Sequence, residues 1–447
     1  MKRKFKTLIL FFFILLPALT YAQNDLRWRL IPQTSPFAQI SRLEDIHFIN
    51  ANSGWTISNF QIGSQLYLNV YKTTDGGRTW STISDTSFSS LRSIGFADSL
   101  NGWLGTLAWP GTVLYRTTDG GFNWIETIQS AVTDSLGICG ISVVDNGHVF
   151  GCGRYFDPAR FFKTSNGGIN WTVKNLNAHI TTLIDCHFFN KDSGFVVGGT
   201  GNTFSNRNGA VLFTSDGGET WINRFTTAPR GQWCWKISFP DRQNGYISLE
   251  KLSSGMGSSV YFLKTTDGGD TWKEKVFLNS FADEEGIGFI NANTGWIGGW
   301  NFSTYKTTDG GDTWNSDPWG YNVNRIRVIS DTLAYAAGRG VYKFSRDSIV
   351  NVSTLSTNVP ASFNIYQNFP NPFNPVTGIK FDIAKRGNVR LIVFDMLGRE
   401  LSTLMNESLD PGTYQVSFDG SGLSSGIYFC RLQSENITNT MKMNLIK

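Results

Sequence analysis

Tyr71 to Trp80 reads Y-K-T-T-D-G-G-R-T-W, and the chain writes variants of it again at Tyr115 to Trp124, Phe162 to Trp171, Leu212 to Trp221, Leu263 to Trp272 and Tyr305 to Trp314. A period of roughly forty to fifty residues is the signature of a repeat architecture. Each copy reads as a β-hairpin: an alternating strand enters, T-D-G-G reverses it, and a Trp opens the return. Asp75 can accept hydrogen bonds from the N–H groups of its own turn, while Gly76 and Gly77 supply the positive φ of the tip. Trp80, Trp124, Trp171, Trp221, Trp272 and Trp314 then carry a large apolar face toward the neighbouring unit.

A second periodic element lies between these hairpins. Ile46-His47-Phe48-Ile49 leads to Ser53-Gly54-Trp55, and equivalents begin at Ile94, Ile141, Cys186, Ile237, Ile287 and Ile326. Seven of these stand against six hairpins. Each reads as the two inner strands of a blade, with the hairpin supplying the two outer ones. After Val341-Tyr342-Lys343-Phe344 the seventh hairpin breaks off without Gly-Gly or Trp. Leu26 to Ile31, with Trp28 in the place of the hairpin Trp, can supply the missing strand and hide the sheet edge. The expected fold is all-β: a seven-bladed β-propeller over 23–347, closed by an N-terminal strand, then a small immunoglobulin-like sandwich.

The pattern S/T-x-D-x-G-x-T-W resembles the Asp-box, or BNR repeat, of sialidases, some glucan hydrolases, sortilin-type receptors and the photosystem II assembly and stability factor propellers. The resemblance implies a structural role at the outer-strand turn for Asp75, Asp119, Asn166, Asp216, Asp267 and Asp309. Copy three departs, with Asn166 and Asn170, and copy two has Asn123. An Asn oxygen still accepts a hydrogen bond, so weaker tips and not lost blades are expected there.

Lys2, Arg3, Lys4 and Lys6 precede the apolar run Leu8 to Leu16, and Thr20-Tyr21-Ala22 offers a small-residue cleavage site. This reads as a secretory signal peptide, 1–22; the run is short and broken by Pro17, which disfavours a membrane anchor. Removing it takes away four positive charges and no negative ones, so the formal net charge of +4 falls to zero. Nothing then argues for nucleic-acid binding. The five cysteines are too few and scattered for a disulfide framework. Cys139 and Cys152 flank a turn, either as a cross-strand disulfide or as two buried thiols. His47, His148, His179 and His187 show no metal-ligand spacing, and neither a metal nor a cofactor is expected.

Residues 348–363 read as a Ser/Thr-rich linker closed near Pro360. Beyond it, Asn368-Phe369-Pro370-Asn371-Pro372-Phe373-Asn374-Pro375 gives way to short alternating strands, Ile379 to Ile383, Val389 to Phe394, Glu400 to Leu404, Tyr414 to Phe418 and Ile427 to Leu432. That run, V-F-D-M-L-G-R-E from Val393, G-L-S-S-G-I-Y from Gly422 and K-M-N-L-I-K from Lys442 closely resemble the C-terminal sorting domain of the type IX secretion system of Bacteroidetes. The resemblance covers about 364–447. It implies the secretion machinery as a partner and the outer cell surface or medium, by way of the periplasm, as the destination.

Three function classes follow: a non-catalytic propeller binding a glycan or protein, a sialidase-type glycoside hydrolase, and an assembly or maturation factor for another surface protein. The first is preferred. Arg29-Leu30-Ile31-Pro32 only approaches the sialidase F/Y-R-I-P motif, having one residue too many. Hairpin tips and inner turns emerge on one face, so ligand loops emerge on the other. Those loops hold Trp109, Arg154, Tyr155, Phe156, Asp157, Arg160, Arg207, Arg230, Trp233, Trp235, Asp283, Glu284, Glu285, Trp300, Trp319 and Tyr321. Aromatics with a few charges suit sugar or peptide recognition. A hydrolase would need two carboxylates about 5 to 10 Å apart, for which Asp157 and Asp283 to Glu285 are the candidates.

Overall fold

Every regular element of any length is a strand, because the sequence supplies alternating apolar runs punctuated by Gly, Asn and Asp. The computed structural model describes residues 26–31, 34, 42–62, 65–83, 90–107, 110–130, 136–154, 158–201, 206–229, 231–251, 259–280, 282–346, 352–420, 423–434 and 437–447, with no α-helix among them. The expected signal peptide lies outside these residues. The chain divides into two compact units, Leu26–Asn351 and one containing Val352–Lys447.

The first unit holds seven four-stranded antiparallel sheets. Their first strands, Leu43–Phe48, Leu91–Phe96, Gly140–Val143, Thr182–Phe188, Gln232–Ser238, Asp283–Phe289 and Arg325–Ser330, contact one another in sequence around a ring, and the last returns to the first. This is a seven-bladed β-propeller. The seventh blade takes its outermost strand from the N-terminal segment: Arg27–Leu30 pairs antiparallel with Val341–Ser345, Trp28 opposite Phe344. Trp28 is buried, stacked on Trp319 at 4.1 Å and edge-on to Trp296 at 5.5 Å.

The T-D-G-G tips satisfy themselves. Thr73 Oγ1 donates to Asp75 Oδ1 (2.8 Å) and accepts from Gly77 N (2.9 Å), while Asp75 accepts from the backbone N–H (2.9 Å) and hydroxyl (2.5 Å) of Thr79. Gly76 and Gly77 take φ of 71° and 90°, a region closed to most side chains. In copy two Asn123 Nδ2 replaces the hydroxyl donor to Asp119 at 2.7 Å. In copy three Asn166 Oδ1 accepts from Thr164 Oγ1 and Asn170 N, both at 3.0 Å, and among the described residues Asn170 makes no counterpart of the side-chain bond. Each tip also folds back on the inner turn of its own blade, as in Gly76 N to Asn52 O and Gly310 N to Asn293 O, both 2.8 Å. Tips and inner turns therefore share one face.

Blades adhere through aromatic stacks. An aromatic residue near the start of the second strand of one blade lies flat on the Phe that ends the first strand of the next: Trp55 on Phe96 (3.6 Å), Phe150 on Phe188 (3.7 Å), Tyr246 on Phe289 (3.4 Å), and, across the closure, Tyr335 on Phe48 (3.5 Å). Each stack buries two large apolar faces, worth about 2 kcal/mol per side chain in transfer free energy.

Of the two alternatives for Cys139 and Cys152 the structure has the buried thiols and not the disulfide: all five cysteines are free and buried, and the register places Cys152 opposite Gly140. Burial, then the neighbouring Cys186 thiol, pushes the Cys152 thiol well above its ordinary pKa. One expectation needs correction: 348–363 is not a simple linker, because Val352–Ser356 pairs with Gly412–Asp419 in the second unit. That unit has two four-stranded antiparallel sheets, one ordered Val352–Ser356, Gly412–Asp419, Val376–Ile383, Asn364–Ile365, the other Glu400–Leu409, Gly387–Phe394, Gly426–Ser434, Ile437–Leu445. Ile379, Phe381, Val389, Leu391, Val416, Cys430, Leu432 and Met443 are among its buried side chains.

Candidate functional site

The first strand of each blade starts on the face opposite the tips and runs toward it. Five of these strands slip register near their start, between Leu43 and Asp45, Leu91 and Ser93, Leu183 and Asp185, Cys234 and Ile237, and Glu284 and Ile287. A β-bulge re-aims side chains that a regular strand would place elsewhere. The bulged residues Glu44, Arg92, Ile184, Trp235, Lys236 and Glu285 meet around the ring axis. Glu44 ion-pairs with Arg92, whose guanidinium lies 5.5 Å from the Trp235 ring centre, and Trp235 packs with Ile184 and Trp233. Trp235 Nε1 donates to Asn324 Oδ1 (3.1 Å), and Asn324 Nδ2 to Glu44 O (2.5 Å). Arg42 pairs with Glu285 and lies 4.8 Å above the Trp300 ring.

One layer deeper the axis is closed by charge. Arg325 is buried, with Nη1 and Nη2 on Asp185 (2.6 and 3.0 Å) and Nε on Asp45 (3.0 Å). The carboxylates also accept backbone N–H groups from neighbouring blades, Asp45 from Ile94 and Asp185 from Ile237, both at 3.1 Å. Burial is the largest influence and opposes ionisation of both acids, yet Arg325 together with Lys236 and Arg327 overcomes it, lowering Asp45 and holding Asp185 at about 2. Burial, reinforced by Arg325, lowers Lys236 to about 8. Beneath them burial, reinforced by Arg327, pushes His47 to about 4, and burial takes His187 to about 4 as well.

The acids of the mouth behave differently. Glu250, at the end of the second strand of blade five, is buried, and its Oε2 has no hydrogen-bond partner among the described residues. Burial, then the charge of Glu285, raises its pKa well above the usual range. The same two causes lift Asp283 to about 6. Glu284 points into the sheet, accepting from Leu249 N at 2.5 Å, and its burial raises it too.

Of the residues expected on this face, Trp233, Trp235, Trp300, Asp283, Glu284 and Glu285 are at the mouth, though on strand ends and not on loops. Trp233 is buried, with the Arg207 guanidinium 3.9 Å above its ring, so it offers no open surface. Tyr321 lies under Arg339 at 4.3 Å. Arg154 follows the second strand of blade three, and Arg160 opens its third. Trp319 is not at the mouth: it packs against Trp28, beside a cavity of about 270 Å³ lined by Arg27, Trp296, Lys306 and Asp317 at the closure seam. Trp109, Tyr155, Phe156, Asp157 and Arg230 lie outside the described residues. Sequence reading missed Arg42, Glu44, Asp45, Arg92, Asp185, Lys236, Glu250, Asn324 and Arg325. For all but Glu250 and Asn324 the signal was charge at the head of otherwise apolar inner strands.

Solved structures resemble the chain at the level of fold. YCF48 from Cyanidioschyzon merolae matches 71% of this chain and 98% of its own at 19% identity and a TM-score of 0.52. YCF48 bound to a D1 peptide matches 71% and 96% at 17% identity and 0.50. The Niastella koreensis GH74 enzyme matches 89% and 77% at 14% identity and a TM-score of 0.42. No curated protein matches the chain. Residues 367–447 match the secretion system C-terminal sorting domain, which marks the chain for type IX export to the cell surface or the extracellular space.

Proposed function

We propose that this exported propeller is a non-catalytic binding protein that takes a glycan or protein partner on the face opposite the T-D-G-G tips. One observation carries the reading: the mouth gathers aromatic rings and charges, while most of its carboxylates are already engaged. Glu44 is paired with Arg92, Glu285 with Arg42, and Glu284 with a backbone N–H. Asp283 and Glu285 stand side by side on one strand, whereas glycoside hydrolysis asks for carboxyl groups flanking the scissile bond. The axis beneath is filled by Arg325, Asp45 and Asp185, so a ligand would sit on the mouth and not thread it.

A glycoside hydrolase is the second reading, favoured by Asp283 held to about 6 beside Glu285, the raised carboxyl that a general acid needs. Parallel screens of polysaccharide and peptide arrays, scoring binding and product release together, separate the two. YCF48 has been solved with a peptide bound, which makes peptides the first protein ligands to screen. Binding lost with Trp300→Ala and no released sugar is the expected result. Released sugar that disappears with Asp283→Asn overturns it.

A further inference from the structure

We propose that the mouth recognises a lysine or arginine side chain of a partner polypeptide, held by Glu250 and Asp283 beside the Trp300 ring; this rests on the binding reading above. The charges lead there. Around the mouth, Arg42 and Arg92 answer Glu285 and Glu44. Glu250, Asp283 and Glu284 remain, with no ion-pair partner among the described residues; Glu284 is turned away to accept from Leu249 N, and Lys251 beside them turns its ammonium to Ser259 O at 3.2 Å. Glu250 is 6% exposed and its Oε2 has no hydrogen-bond donor among the described residues; Arg42 and Arg92, the cations that face it, are paired with Glu285 and Glu44, so a buried carboxylate here gains from a further cation. Among the described residues no three acidic, His or Cys side chains are grouped to hold a metal, so an organic cation fits better than an inorganic one.

The aromatic geometry agrees. Asp283 lies directly opposite Trp300 in the strand pairing, so the two share one face of the sheet, and the Trp300 ring already carries the Arg42 guanidinium. Depth selects the source of the cation. Glu250 is buried, so a cation on a slender methylene stem suits its depth better than the amine of an amino sugar, which brings a rigid ring. The surroundings also make recognition proton-linked. Glu250 is faced by Glu285 and Asp283 from blade six, by Arg42 from the approach to blade one and by Arg92 from blade two. Both surplus carboxyls therefore hold a proton more tightly than usual, and an arriving cation displaces it.

The test is an array of random dodecapeptides and chito-oligosaccharide amines, probed with the full chain at pH 7.5 and pH 5. Captured peptides should be enriched in Lys or Arg, lose at least tenfold in affinity at pH 5 or on lysine acetylation, and lose as much with Glu250→Gln or Asp283→Asn at an unchanged melting temperature. Where a variant fails to fold, the acetylation and pH arms decide alone. Peptides captured through Trp300 without Lys or Arg enrichment, or amino sugars captured in their place, overturn this inference and leave the binding reading intact. No capture that depends on Trp300 on any array overturns both.

Discussion

Arg325 of blade seven meets Asp185 of blade four, three blades away around the ring, through two hydrogen bonds of 2.6 and 3.0 Å. The guanidinium thus spans the axis, and the same group holds Asp45 of blade one. Blades that share no sheet are tied at the centre by one side chain.

Arg325→Met should therefore destabilise the propeller by about 3–5 kcal/mol, because it strands two buried carboxylates without their cation. Chemical denaturation of the full chain measures it. A loss under about 1 kcal/mol would mean that water already screens the centre.

The closure strand is expected to matter as much. Trp28→Ala removes a buried indole stacked on Trp319 and should cost about 3–5 kcal/mol, read as a lowered denaturation midpoint. An unaltered midpoint would show that Arg27–Leu30 is dispensable for closing the ring.

At the tips, Asp309→Ala leaves the Thr313 N–H and hydroxyl without their acceptor and should cost about 1–3 kcal/mol. Asn166→Asp runs the other way. It gives copy three the second acceptor oxygen used by Asp119 in copy two, and should stabilise by about 0.5–1 kcal/mol. Peptide binding at the mouth should not change in either variant.

Acid should weaken the fold in two stages. His47 and His187 have folded pKa values near 4 against 6.5 unfolded, so between those limits the unfolded chain binds more protons and stability falls as pH drops. Each histidine contributes on the order of 1–3 kcal/mol. Asp185, held at about 2, adds a second loss as pH falls below its unfolded value near 3.8. Melting curves from pH 7 to pH 3 test this, and replacing both histidines with Asn should flatten the upper stage.

Removing Lys442 to Lys447 should leave a folded propeller inside the cell envelope, since the sorting match runs through these residues. Fractionation and immunoblotting locate it. Undiminished export of the truncated chain would rule out the type IX route.

Repetition made the scaffold legible. Six hairpin tips, four of them T-D-G-G and two close variants, and seven inner segments led to the blade count, and Trp28 in the place of a hairpin Trp pointed to the closure. The mouth was harder to read, because periodicity locates the inner strands by their Ile-x-Phe rhythm and so begins them at Ile46, Ile94 or Ile237. These strands start three to five residues sooner, and the register slips there turn Glu44, Arg92 and Trp235 toward the axis. A bulge leaves no mark in hydrophobic alternation beyond an apparent interruption. Glu250 was missed for another reason: nothing in sequence tells that the far end of a second strand lies beside Arg42 and Glu285, some thirty-five residues onward and two hundred before.

The hydrogen bond from Arg29 to Ser345 O spans 316 residues of chain. Ring closure therefore waits for nearly the whole propeller to be synthesised, and the sorting domain follows the closing strand in order of translation. A ribosome that stops anywhere before Ser345 releases a chain with an open ring and no export address. Because the sorting domain follows Ser345 in the sequence, every chain that carries it also carries both strands needed to close the ring.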